Sequence, residues 1–376
     1  MKNVMGIIHH IKDEVAFKEI TKHRCVAAIP FGGKYRLVDF PLSNMANAGI
    51  YNIGIITSLK MRSLLDHLGT GKEWGLDRKR DGLFILPAAL AGNAKNKRRL
   101  DFEDIYVNRD YLEKSCQEYV FLTGSNIVCN LDLQAVFKAH QRKKADLTIV
   151  CSDDYRFLPS DVARGVYLQK QKAGRITAVS SGIPVRNSLV SMDMYVLSMS
   201  FLLELLEQCA RENKWDFVSD LLPKMIKEKR IYAYLHQGYL GLINSWRSLY
   251  QHQMDLLNPQ VWRELFWGRG LIRTKIKDGP PARFYETSQV KNAFATTGCL
   301  IEGEVKNSIL FRKVKIGPGA VVENSVLFPN VEVEKDVVLN GVVIDKNVLI
   351  KSGTRLSGEN DSPVIIEKNQ EIGGGF

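Results

Sequence analysis

Residues 306–322 read KNSILFRKVKIGPGAVV. Two further blocks of the same length follow without a gap: ENSVLFPNVEVEKDVVL (323–339) and NGVVIDKNVLIKSGTRL (340–356). Written one under another, they bring Ile309, Val326 and Val343 into one column. Val314, Val331 and Val348 form a second, and Ile316, Val333 and Ile350 a third. Within a block, aliphatic residues recur every five to six positions. That is close to a hexapeptide period, in which three short strands make one triangular coil and each strand turns an aliphatic side chain inward. Glycine and small residues suit the corners. A plain β-sandwich gives no reason for one shared register across three blocks. The spacing predicts a left-handed parallel β-helix over 291–376, with Thr297–Gly303 in its first coil. A coil stack cannot bury its own ends and usually rests on something else.

Residues 256–290 read as an irregular connection, with Asn258-Pro259, Trp267-Gly268-Arg269-Gly270 and Gly279-Pro280-Pro281. Its tryptophans suit packing on a domain better than a free linker. Residues 1–255 alternate strand and helix patterns. Strands are expected at Val4–Ile8, Asn52–Thr57, Tyr119–Thr123, Asp146–Cys151, Gly165–Gln169 and Met192–Leu197. Helices are expected at Leu42–Ala48 and Met61–Leu68, each followed by a glycine, and at Leu131–Arg142 and Met199–Ala210. Such alternation predicts an α/β domain: a mostly parallel sheet with helices on both faces. Ligands of such sheets bind at the carboxyl ends of the strands.

The chain has 376 residues, 45% hydrophobic and 25% charged, with a formal charge of +11. No apolar run approaches the length of a membrane span, so no membrane role is expected. Six scattered cysteines without metal spacing read as reduced thiols of a cytoplasmic protein. The basic clusters Lys95–Arg99, Arg142–Lys144 and Lys227–Arg230 carry no interleaved aromatics. They read as solvated faces and helix ends, not as a nucleic-acid surface.

One stretch carries a resemblance. Pro30-Phe31-Gly32-Gly33-Lys34-Tyr35-Arg36-Leu37-Val38-Asp39-Phe40-Pro41-Leu42-Ser43-Asn44 resembles the signature of the ADP-glucose pyrophosphorylase (glucose-1-phosphate adenylyltransferase) family. Gly49–Thr57, Trp215-Asp216-Phe217, Asp220–Pro223 and Pro280–Phe284 continue it. The resemblance spans nearly the whole chain. It implies a Rossmann-like nucleotidyltransferase domain, a left-handed β-helix and a tetramer.

The departures are as informative. Where catalytic chains carry a glycine-rich turn with an arginine after the first strand, this sequence has Gly6-Ile7-Ile8-His9-His10. A family lysine is replaced by Val26, a family aspartate by Ser125, and a second aspartate by Leu242. Ser180–Pro184 stands near the place of the glucose-phosphate motif, and nothing around Val107–Asp110 matches the adenine-side segment. Adenylyl transfer develops charge on phosphates, and Mg²⁺ held by hard oxygen ligands neutralises it. Ser125 has no charge and Leu242 cannot coordinate. The resemblance therefore implies the family's non-catalytic, regulatory D-type chain. No catalytic residue, no resident metal and no cofactor of its own are expected, with Mg²⁺ left to the catalytic partner. Ser125, Asp216 and Leu242 mark a vestigial substrate site. Asp216 has a second reading as a helix N-cap, and His9 and His10 read as filler of a vacated loop.

The resemblance also places Arg24, Lys34 and Arg36 beside an allosteric anion site between the two domains. Guanidinium forks suit phosphates, and the competing reading is simple ion pairing. Expected partners are a phosphorylated metabolite and the catalytic ADP-glucose pyrophosphorylase subunit in a heterotetramer, with a homo-oligomer possible for the isolated chain. Two other classes stand beside this. One is a weakly active sugar nucleotidyltransferase. The other is a hexapeptide acyltransferase, which typically needs a histidine in the β-helix, and residues 296–376 contain none.

Overall fold

Val4–His9 is buried along its whole length, and a strand buried on both faces needs neighbours on both edges. In the computed structural model, which describes residues 1–11, 16–89, 100–359 and 362–373, it pairs in parallel with Asn52–Thr57 and with Tyr119–Gly124. Lys12 of the opening turn and the Lys95–Arg99 cluster lie outside the described residues. Gly82–Pro87 adds a further parallel strand at the edge. On the other side Leu189–Ser198 runs antiparallel to Tyr119–Gly124, to Leu147–Ser152 and to Val166–Lys170. The sheet is thus mixed about this one strand and parallel elsewhere near the first strand. Helices Asp39–Asn47, Leu133–Arg142 and Met199–Glu212 pack their apolar stripes against it.

The C-terminal part is a parallel β-helix. One face stacks Leu300–Ile301, Lys315–Ile316, Glu332–Val333, Leu349–Ile350 and Glu371–Ile372 in parallel. Two of the columns read from the sequence are its ladders: Ile309 faces Val326, which faces Val343, and Ile316 faces Val333, which faces Ile350. All of these are buried. The corners turn through the left-handed backbone region. At one of them Asn307 (φ 46°), Asn324 (φ 47°) and Gly341 (φ 61°) follow at the block spacing. Asparagine tolerates this conformation better than most residues. Its amides also join coil to coil, from Asn292 to Asn307 (2.9 Å) and from Asn324 to Asn340 (3.0 Å).

Two boundaries differ from the sequence reading. The connection is not irregular throughout, because Pro259–Trp267 is a helix with Asn258 as its N-cap and proline in its first turn. The β-helix also starts earlier than 291. Arg283–Phe284 pairs with Leu300–Ile301, and Gln289–Ala295 with Glu304–Leu310. In that second pair, partners are 15 residues apart (Gln289 with Glu304), not 17, so a search at the block length passes over it.

The two halves share an interior. Phe31, Phe40, Leu249 and Phe266 belong to one apolar cluster with Ile309, Phe311, Val326 and Phe328. Gly33 sits at this junction with φ +80°. A Cβ there would lie 2.5 Å from Thr296 Cγ2 and 2.7 Å from Phe294 Cε1. Gly75 has a similar φ, +69°, but open space around its missing Cβ. Gly33→Ala is expected to destabilise by about 1–3 kcal/mol, and by clearly more than Gly75→Ala. Denaturant midpoints of the two variants check this; equal losses would mean that the approach of the β-helix plays no part.

Candidate functional site: an interdomain cationic cleft

At the carboxyl end of the first strand, where a sheet of this kind binds its ligands, the space is filled from within. His9 is buried and its Nε2 lies 2.9 Å from the Asp193 carboxylate. Burial works against protonation of His9, but Asp193 outweighs it and raises the imidazole's pKa. Asp193 occupies a left-handed position inside a strand (φ 55°), beside a bulge between Ser191 and Met194. Ser125 is buried, and its hydroxyl has no hydrogen-bond partner. Leu242 is buried in a short antiparallel ladder opposite Ile127. The cavity among Asn126, Phe157, Arg164, Asp193 and Leu242 measures about 40 Å³. Among the described residues, that is room for a few waters.

Asp216 is not brought to this cavity. Its carboxylate accepts from the Ser219 N–H (2.8 Å) as the N-cap of the turn Phe217–Leu221, and its backbone bridges to Asp101. Among the described residues no group of three or more His, Cys, Asp or Glu side chains could hold a metal ion. With serine and leucine at the two expected ligand positions, the donor set does not fit the Mg²⁺ of adenylyl transfer.

The larger feature lies between the domains. A cavity of about 250 Å³ is lined by Lys34 and Arg36 from the first domain, by Lys275 and Lys277 from the connection, and by Arg312 and Lys346 from the β-helix. Among the described residues that line it none is acidic. Tyr35, Phe311 and Pro329 give it apolar walls. Arg36 is oriented from behind: its Nη1 donates to the Ser63 carbonyl and to Ser63 Oγ. Its backbone N–H donates to Asp39 (2.9 Å), whose other oxygen meets His67 Nε2 at 2.6 Å.

Crowding shows in the titration of these groups. Burial, opposed by Asp39 but reinforced by Arg24 and Arg312, brings Arg36 down to about 10. Burial and the neighbouring Arg36, Arg24 and Arg312 bring Lys346 down to about 7. Partial burial with Arg312, Arg36 and Lys275 brings Lys277 down to about 8. Arg24, the third residue singled out in the sequence, does not line the cavity. Its Nη2 donates to both carboxylate oxygens of Asp345 at 2.9 Å, with both side chains buried. Arg312 and Lys346, which sequence reasoning missed, did leave a signal. They occupy the same column of the first and third repeat blocks, with Pro329 between them, so they stack on one edge of the β-helix about 10 Å apart.

Residues 17–259 match the nucleotidyl transferase family, and residues 280–363 match the GlmU-like C-terminal hexapeptide. The glycogen biosynthesis protein GlgD of Bacillus subtilis (strain 168) is 34% identical over 365 residues, 97% of this chain and 96% of that one. The chain belongs to the GlgD and glucose-1-phosphate adenylyltransferase family. The GlgD of Geobacillus stearothermophilus is 34% identical over 85% of this chain and 82% of its own length. The glucose-1-phosphate adenylyltransferase of Thermosipho africanus (strain TCF52B) is 31% identical over 86% and 78%. As a member of this family, the chain keeps the sheet and the β-helix while its strand-end cavity is small and its interdomain cleft is cationic.

The lowered lysines would make the affinity of an anion placed in the cleft depend on pH. A lysine lowered to about 7 or 8 keeps its proton below that value and loses it above. The empty protein therefore gains stability from these two groups as pH rises through that window, because the unfolded lysines still hold protons there. An anion in the cleft favours the charged forms and reverses the trend. Sulfate, whose charge is constant over this range, is expected to bind about tenfold or more weakly at about pH 9 than at about pH 6.5. Calorimetric titration at the two pH values checks this, and a pH-independent affinity would contradict it.

Proposed function

We propose that this chain is a regulatory, catalytically degenerate subunit of a glucose-1-phosphate adenylyltransferase of glycogen biosynthesis. It binds a phosphorylated metabolite in the interdomain cleft and acts by assembling with a catalytic chain and raising its activity. The observation that carries this reading is the contrast between the two cavities. The strand-end cavity is about 40 Å³, with Leu242 in its wall, and the hydroxyl of Ser125, the residue before the lining Asn126, is unpartnered. The cleft is about 250 Å³, with six basic residues and no acidic one among its described lining. Of these cations Arg36 is buried and Lys275, Arg312 and Lys346 are partly so; bringing like charges together is costly, and a phosphorylated ligand would offset it through charge-assisted hydrogen bonds. The names of the relatives support the biosynthetic setting.

A chain without its own chemistry needs an interface. The first coil of the β-helix offers one: among the described residues Gln289–Ala295 pairs only with Glu304–Leu310, and Gln289–Asn292 are exposed. Phe284 and Val290 are exposed large apolar residues of the same coil. An open ladder edge of this kind is ready to be covered by another chain, and a heterotetramer with the catalytic subunit would cover it. The Mg²⁺ of the reaction would then belong to that partner. Assembly raises activity to the extent that it favours the partner's active arrangement, and a few kcal/mol of differential interface energy suffices.

Two outcomes are expected. The purified chain forms no ADP-glucose from ATP and glucose 1-phosphate with Mg²⁺, and Ser125→Asp alone does not change that. Robust turnover by the pure chain would overturn the reading. Mixed with the catalytic chain it raises the rate, and Arg36→Ala weakens the response to a phosphorylated effector by about tenfold or more. A variant that responds like the wild type would remove Arg36 from the site.

A further inference from the structure

The repeat breaks at one buried position. The sixth residue of the three blocks is Phe311, Phe328 and then Asp345. The two phenylalanines pack edge to face in the shared core, with ring centroids 5.0 Å apart. Asp345 stands in the same column and is as buried as they are, 2% exposed. A carboxylate replaces an aromatic ring inside a stack only if something nearby satisfies it. Arg24 of the first domain does, with Nη2 at 2.9 Å from each carboxylate oxygen. Oδ1 of Asp345 also accepts from the backbone N–H of Lys346 at 2.7 Å. The backbone N–H of Asp345 is fixed in turn by the Ile366 carbonyl. A continuous chain of polar contacts thus runs from Arg24, through Asp345, to the residue that brings a cation into the cleft.

We infer that Arg24 is a positioning residue of the interdomain anion site: it fixes, through Asp345, the β-helix turn that presents Lys346 to the ligand. This rests on the reading of the cleft as an anion site and names how one of its cations is held. A buried pair of this type adds little net stability compared with an apolar pair. Its retention in a column of phenylalanines is explained by geometry: it joins two domains at a defined register. Exposed Lys22 and half-buried Glu367 form a second ion pair across the same seam at 2.7 Å, which screening makes weak. The competing reading makes Arg24 a direct ligand. Its Nη1 is buried and has no partner, so a direct contact would have a donor to use. The two readings predict opposite effects at Asp345. If Arg24 touches the ligand, removing the carboxylate frees the guanidinium and removes a negative charge beside the anion, so affinity rises. If Arg24 positions Lys346, removing the carboxylate loosens the turn and affinity falls.

Titration calorimetry of the full chain with inorganic pyrophosphate at about pH 7 tests this. Arg24→Met, Lys346→Met and Asp345→Asn are each expected to weaken binding by about tenfold. In the Lys346→Met background, Arg24→Met is expected to add less than a further twofold loss, because it acts through the lysine already removed. That absence of additivity is a readout that general destabilisation would not give. Additive losses, or tighter binding by Asp345→Asn, would overturn the inference and make Arg24 a ligand contact. Where Arg24→Met leaves Asp345 stranded and the protein unfolds, Arg24→Met combined with Asp345→Met removes both charges from the apolar column. This pair is expected to fold and still to bind about tenfold more weakly, and wild-type affinity in it would overturn the inference. A wild-type chain that takes up no pyrophosphate in the cleft would remove the anion-site reading itself. Binding with additive losses would remove only the role given to Arg24.

Discussion

Every property of the cleft depends on how the β-helix is seated against the first domain. Phe31, Phe40 and Phe266 on one side and Phe311 and Phe328 on the other form one apolar cluster. Truncating a buried phenylalanine of this kind costs about 3–5 kcal/mol. The seam is therefore strong enough to hold charges in its neighbourhood that would otherwise separate. Tyr35 stacks on Phe266 (4.7 Å between centroids), and Gly33 lets the turn beneath them meet Phe294 and Thr296. The same turn carries Lys34 and Arg36. Apolar packing thus sets the position of the cations, and burial, reinforced by repulsion among them, lowers the pKa of Arg36, Lys277 and Lys346.

The contrast with the strand ends is electrostatic. There, a buried histidine meets a single carboxylate, Asp193, which is held in an unfavourable backbone conformation. Opposite charges close that cavity from within. In the cleft, like charges are held apart by packing and no carboxylate enters the described lining. In the first arrangement the histidine already has its counter-charge. The second is stabilised by gaining one. On the proposed reading, this is how a scaffold of this family would be retained while its ligand site lies elsewhere.

Much of this was legible in the sequence. The three repeat blocks give the β-helix ladders to the residue, because aliphatic columns at one fixed spacing are all buried together when equal coils stack in register. The strand Asn52–Thr57 was read with its observed bounds. Gly82–Pro87 was not read, since it ends in proline and lies at the edge of the sheet, where the alternation is weak. The first coil escapes the repeat because its longer ladder, Gln289–Ala295 with Glu304–Leu310, pairs at 15 residues, and only the two-residue strand Arg283–Phe284 keeps the spacing of 17. Lys34 and Arg36 were found through their local motif. Lys275 and Lys277 carry no local signal, since they come to the cleft only through the path of the connection. Asp345 was visible as a break in a phenylalanine column, but its meaning required its partner, 321 positions earlier in the chain.

The central claim is that anion binding has its seat between the domains and not at the strand ends. Pyrophosphate suits the test because either site could accept it. Hydrogen–deuterium exchange of the full chain with and without pyrophosphate is predicted to show added protection at residues 34–36, 274–277, 311–312 and 345–346. No change is predicted at 6–10, 124–126 or 240–244. Protection confined to those strand-end segments, with the cleft unchanged, would contradict the account.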